Sequence, residues 1–101
     1  MAVFSVSVVP VGTGSTSVSP YVARCHEILK QEEGIKFQLT PMATIIEGEL
    51  ARVLEVVQKL HRVPFEKGAG RVLTTIIIDD RIDKALSMEG KVESVRKKLG
   101  G

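Results

Sequence analysis

The run Val72-Leu73-Thr74-Thr75-Ile76-Ile77-Ile78 constrains the fold more than any other stretch. It is too short for a stable helix and dense in β-branched residues, so Arg71 to Ile78 reads as a strand. Both alternating faces of that strand are apolar. A strand of this kind needs cover above and below. Lys67-Gly68-Ala69-Gly70 leads into it as a flexible loop, and Asp79-Asp80-Arg81 closes it.

The other elements follow from periodicity. Ala2 to Val9 alternates as a strand, with Ser5 and Ser7 between Phe4, Val6 and Val8. Val18 to Glu33 reads as a helix, with Val18, Tyr21, Val22, Cys25, Ile28 and Leu29 on one stripe and Gly34 as its stop. Cys25 on that stripe reads as a buried structural thiol. Lys36 to Thr40 and Thr44 to Glu49 are short strands joined by Pro41-Met42, and Gly48 marks a bulge or a close approach. Glu49 to Arg62 is a second helix striped by Leu50, Val53, Leu54, Val57 and Leu60, with Pro64 expected to stop it. His26 and His61 read as boundary residues. Ser87 to Leu99 is a last helix whose basic end suits the helix dipole.

Between the first strand and the first helix lies Pro10-Val11-Gly12-Thr13-Gly14-Ser15-Thr16-Ser17-Val18-Ser19-Pro20. Glycine lets the backbone turn sharply and approach a ligand. Ser19-Pro20 reads as an N-cap followed by the first helical residue. The free N–H groups of such a helix start suit a phosphate or another anion. The stretch is neither a dinucleotide fingerprint, since position 17 is Ser, nor a P-loop, since no Gly-Lys-Ser/Thr follows.

The order strand, helix, strand, strand, helix, strand, then a terminal helix, is the split βαβ arrangement. The expected fold is α+β, a ferredoxin-like βαββαβ sandwich with a C-terminal helix, in one domain over residues 1–101. Right-handed crossovers put the first and third strands at the centre, with two helices on one face. One rim then gathers Gly12, Thr13, Gly14, Ser15, Met42, Thr44 and Arg71, where Arg71 supplies a fixed cation. The other rim gathers Glu47, Glu49, Asp79 and Asp80, read as strand-end caps and surface charge. The helix-free face is greasy, so the sheet is expected to pack on a second copy.

Composition narrows the function. Fourteen basic and twelve acidic residues give a net charge of +2, which sets up no strong pull toward nucleic acid. One cysteine excludes an internal disulfide, and no metal-ligand spacing is present. No apolar run approaches a membrane span and the N-terminus is unlike a signal peptide, so a cytoplasmic protein is expected. No nucleophile–base pair or cofactor fingerprint is visible, so no enzyme and no cofactor are expected.

Three segments carry a resemblance. They are Val9-Pro10-Val11-Gly12-Thr13-Gly14-Ser15-Thr16-Ser17-Val18-Ser19, then Leu39-Thr40-Pro41-Met42-Ala43-Thr44-Ile45-Ile46-Glu47-Gly48-Glu49, then Lys84-Ala85-Leu86-Ser87-Met88-Glu89-Gly90-Lys91-Val92. Together they resemble the thiamine-binding protein family, short proteins of archaea, bacteria and fungi. The resemblance spans nearly the whole chain. It implies a ferredoxin-like monomer, assembly into homodimers or homotetramers, and binding of thiamine or its pyrimidine precursor without a known reaction. Thr44 and Glu47 are the positions it carries over first. An aminopyrimidine needs a few directed donors and acceptors, which Ser5, Ser7, Thr44 and Glu47 offer. The alternative is a regulatory or scaffold oligomer that binds another small anion at Gly12 to Gly14.

Overall fold

The computed structural model describes residues 1–14 and 17–100, so the hydroxyls of Ser15 and Thr16 lie outside the described residues. The elements run β1 (Ala2–Val11), α1 (Ser19–Gln31), β2 (Lys36–Leu39), β3 (Thr44–Gly48), α2 (Leu50–Glu66), β4 (Arg71–Asp79) and α3 (Met88–Lys98). The sheet order is β2-β3-β1-β4, antiparallel throughout, with β3 and β1 central. This is the ferredoxin-like order that the succession of elements predicts.

Strand alternation divides the sheet into two faces. Phe4 and Val6 of β1 pair with Ile46 and Thr44 of β3, and all four face α1 and α2. The core is Phe4, Ile46, Leu29, Val53, Val56, Leu60 and Val63, each about 1% exposed or less. The opposite face carries Ser5, Ser7 and Val9 of β1 with Leu73, Thr75 and Ile77 of β4. No helix covers its upper half. α3 has no buried residue, and Val92, Val95 and Leu99 on its apolar stripe are exposed. The chain is elongated as a result, 47 Å along its longest axis and 20 Å along its shortest.

Several element ends differ from the sequence reading. α1 starts at Ser19, so the N-cap is Val18, whose carbonyl accepts from Val22 N–H at 3.1 Å and whose side chain caps nothing. Pro20 therefore sits at the second helical position, where its missing N–H still costs nothing. α1 ends at Gln31, short of Glu33. Arg52 and Lys59 of α2 hold the Glu32 carboxylate at 2.6 and 2.5 Å, and Arg52 Nε donates to the Glu33 carbonyl at 3.0 Å. These cations draw the chain out of the helix, and Gly34, at φ +79°, makes the following turn.

Pro64 does not stop α2, which continues to Glu66. A proline inside a helix leaves one carbonyl without its N–H partner, four residues back. That carbonyl is Leu60 O, and the Cys25 thiol of α1 lies 4.0 Å from it as a weak donor. Burial pushes the Cys25 thiol above its ordinary pKa, so it stays protonated and able to donate. β1 likewise runs through Pro10 to Val11, two residues past the expected end. Gly48 is a close approach. A Cβ there would meet Val53 Cγ2 at 2.9 Å and Ile35 Cγ2 at 3.2 Å. His61, half-buried on α2, shares a hydrogen bond of 2.7 Å with Thr74 of β4.

Candidate functional site

β1 has unequal partners along its length. Its pairing with β3 ends at Val6↔Thr44, but its pairing with β4 continues to Val11↔Arg71. Over residues 7–11 the β3-facing edge of β1 therefore has no strand partner among the described residues. Pro10 lies in this half-free stretch, where a sheet tolerates a residue without an N–H.

A cavity of about 340 Å³ opens against that free edge. Ser7, Val8 and Val9 line it from β1, Val22 and Cys25 from α1 with its N-cap Val18, Leu60 from α2, and residues 39–44 from the β2–β3 turn. Most of the wall is aliphatic. The polar groups are the hydroxyls of Thr40 and Thr44 and the main chain of the β1 edge. No charged side chain lines it among the described residues.

The β2–β3 turn is locked. Thr40 Oγ1 donates to the Ala43 carbonyl at 2.7 Å and accepts from Ala43 N–H at 3.2 Å, and Thr40 N–H donates to the same carbonyl at 2.9 Å. The small Thr-x-x-Ala loop so formed pushes Met42 out at the cavity mouth, 87% exposed. A large apolar side chain held in water beside an apolar cavity is positioned to cover an occupant.

The glycine loop forms a separate locus on the β4 side of β1. Gly12 and Gly14 take φ of +75° and +78°, conformations that favour glycine. Val11↔Arg71 pairing sets the Arg71 backbone beside them. α1 has no side-chain cap and no acidic residue in its first turn, but its N-cap Val18 lies at the cavity, and Arg71 makes no ion pair among the described residues. The charge there is net positive.

Glu47 has a third role. It is 3% exposed, on the helix-free face at the opposite rim, and its Oε1 accepts from Met88 N–H, the first residue of α3, at 3.1 Å. Ser87 Oγ accepts from Gly90 N–H at 3.0 Å. Together they satisfy the start of α3. Glu47 is thus a buried tertiary cap, not the surface charge its strand-end position suggests. Asp79 pairs with Lys91 of α3, so both acidic strand ends hold that helix.

The candidate residues therefore divide. Ser7, Met42 and Thr44 come together at the cavity. Gly12, Thr13, Gly14 and Arg71 share the glycine-loop rim but do not line it. Ser5 lies lower on the helix-free face, opposite Ile45 and Ile77. Thr44 and Glu47, three residues apart on β3, point to opposite faces. Sequence reasoning missed the cavity walls Val22, Cys25 and Leu60. They read as ordinary helix stripe, and only the early end of the β1–β3 pairing leaves them facing space.

A model of the family described as thiamine-binding protein matches residues 4–96. The chain is 53% identical over 102 residues to UPF0045 protein YqgV of Bacillus subtilis (strain 168), covering 98% of each. It is 39% identical to a UPF0045 protein of Methanothermobacter thermautotrophicus, covering 98% of this chain and 100% of that one. Among solved structures, protein MJ1052 of Methanocaldococcus jannaschii superposes with a TM-score of 0.84 at 30% identity, over 95% of this chain and 96% of that one. A thiamine biosynthesis/salvage candidate of Thermotoga maritima, TM0486, superposes with a TM-score of 0.76 at 26% identity, over 94% and 98%. With its fold, its quoted segments and nearly its full length in agreement, the chain belongs to the thiamine-binding protein family.

Proposed function

We propose that this chain is a non-catalytic, cytoplasmic binding protein for thiamine or its hydroxymethylpyrimidine moiety, acting as a homodimer or homotetramer. The observation that carries this reading is the cavity beside the free edge of β1. An aminopyrimidine is flat, largely apolar on its faces, and carries adjacent donors and acceptors on its rim. Aliphatic walls suit the faces, and an unpaired strand edge with the Thr44 hydroxyl suits the rim. Among the described residues no carboxylate lines the cavity to favour a thiazolium cation, so the pyrimidine end is the part that enters. The family membership points to the same ligand class. Leu73 and Ile77, 62% and 63% exposed on the helix-free face, support association through it.

Thermal-shift titration tests the ligand. A compound that binds only the native state raises the melting temperature, and more so the further its concentration exceeds its Kd. Thiamine or hydroxymethylpyrimidine is expected to raise it, and Thr44→Val to weaken the affinity read from that response about tenfold. No shift from either compound at millimolar concentration overturns the reading. The Arg71 cation, paired through its backbone with Val11 beside the positive-φ glycines, favours a second reading, a small anion held at the glycine loop. Phosphate titration with Arg71→Ala as control separates the two, since Arg71 does not line the cavity.

A further inference from the structure

Backbone polarity alternates along a strand. The N–H and C=O of one residue point to one side, and those of the next residue to the other. At the β2–β3 turn, Thr40 N–H donates to the Ala43 carbonyl at 2.9 Å, so Ala43 turns its backbone toward β2. Thr44, next in the chain, therefore turns its own toward β1, where its partner is Val6. The same alternation along β1 sends the backbone groups of Val8 and Pro10 to the side that Val6 faces, and those of Ser7, Val9 and Val11 toward β4. Pro10 gives this assignment independently. It lies inside the unbroken pairing with β4, where a residue without an N–H fits if its backbone faces away from that partner.

Very few groups are left on the half-free edge. Val6 is held by Thr44, Val8 offers one N–H and one C=O, and Pro10 offers a C=O alone. No strand stands opposite Val8 or Pro10 on that side among the described residues. The cavity wall takes in Val6, Ser7, Val8 and Val9 and leaves out Pro10. One donor and one acceptor thus face the chamber from the β1 backbone, both on Val8. Pro10 also denies the stretch to an added strand, which would need the donor that proline lacks.

We propose that Val8 is the recognition residue of the cavity, its N–H donating to a ring nitrogen and its C=O accepting from the exocyclic amine beside that nitrogen. This rests on the reading of the cavity as a pyrimidine site, and it says which edge of the ring enters: the N=C–NH2 edge, acceptor next to donor. Two such bonds hold the ring in line with the sheet, in the place a longer β3 would take. Its faces then lie against aliphatic walls such as Val22, Leu39 and Leu60. The bonds also fix its position along the strand. A regular edge repeats its donor every two residues and lets a flat ring slide, whereas here the neighbouring positions are occupied at Val6 and without a donor at Pro10.

Amide hydrogen exchange followed by NMR tests this in the intact protein. In the ligand-free chain, Val8 N–H is expected to exchange about tenfold faster than the ladder-bonded N–H groups of Ser7 and Val9, and saturating hydroxymethylpyrimidine to slow it about tenfold. Val8→Pro removes the donor where no ladder bond depends on it, so the variant is expected to fold and to bind hydroxymethylpyrimidine about tenfold more weakly. Val8→Ala keeps the N–H and is expected to bind within about threefold of wild type. An analogue with hydrogen in place of the amine is expected to bind wild type about tenfold more weakly. A Val8 N–H as slow as its neighbours in the free chain, or one whose exchange ignores a compound that does raise the melting temperature, overturns the proposal and leaves the pyrimidine reading standing. So does a Val8→Pro chain that binds like wild type. No rise in melting temperature with thiamine or hydroxymethylpyrimidine overturns that reading, and the proposal with it. If Val8→Pro does not fold, the exchange of Val8 N–H in wild type decides.

Discussion

The two faces of one sheet are made from the same kinds of residue and end in opposite states. Phe4 and Ile46 on the helix side are fully buried, whereas Leu73 and Ile77 on the bare side are nearly two-thirds exposed. Pleat alternation alone assigns a residue to a face, but burial depends on what covers that face. α2 supplies six buried residues and α3 supplies none. The helix side therefore carries the stability of the chain, and the bare side carries apolar area left over for association.

That contrast is broken most directly at Phe4. Phe4→Ala is expected to destabilise the chain by about 3–5 kcal/mol in urea unfolding, as a large cavity in a fixed core does. A loss below about 1 kcal/mol would show that the helix side is not the main core. Glu47→Ala is expected next, at about 1–3 kcal/mol, because it leaves Met88 N–H half-buried without its acceptor. Faster hydrogen exchange confined to the start of α3 would confirm the route, and Glu47→Gln, which keeps an acceptor, should recover most of the loss. Cys25→Ala is expected to cost about 1 kcal/mol, by orphaning the Leu60 carbonyl and emptying part of the cavity wall. Ile77→Ser sharpens the contrast from the other side. Unfolding of the dissociated chain should move by no more than about 0.5 kcal/mol, while self-association measured by sedimentation weakens.

The smallest expected effect is a pH dependence on the helix side. Hydrogen bonds from Lys59, and then Arg52, hold the Glu32 carboxyl below its ordinary value of 4.5. A depressed carboxylate stabilises the fold fully above the unfolded value and loses that contribution as the pH falls through the lower native one. Stability should therefore decline below about pH 4.5 in wild type, and less steeply in Glu32→Gln. Equal slopes for the two proteins would remove Glu32 from the account.

Periodicity made the elements legible because burial on one side imposes it. The stripes of α1 and α2, the alternation of β1 and the two-sided character of β4 all follow from side chains that need cover. The strand order followed from their succession. Tertiary compensation was not legible. Pro64 signals a helix end, but Cys25, far away in the chain, lies against the carbonyl it strands, and α2 runs on. Glu47 at a strand end signals solvent, but the α3 backbone turns it into a buried cap. The cavity depends on a local mismatch, β3 beginning only at Thr44 while β1 runs on past Val6, which no spacing in either segment announces. The glycine loop, conspicuous in sequence, stands apart from that cavity.

Gly48 sits at the rim farthest from the cavity, yet a side chain there would be felt along α2. With hydrogen in place of a methyl group, α2 lies flush against β3, Val53 filling the room a side chain would take. Leu60 rides two turns further along that rod. Inserting one carbon at the foot would press on Val53 and push the rod off the sheet, a displacement its far end, Leu60 at the cavity wall, would share.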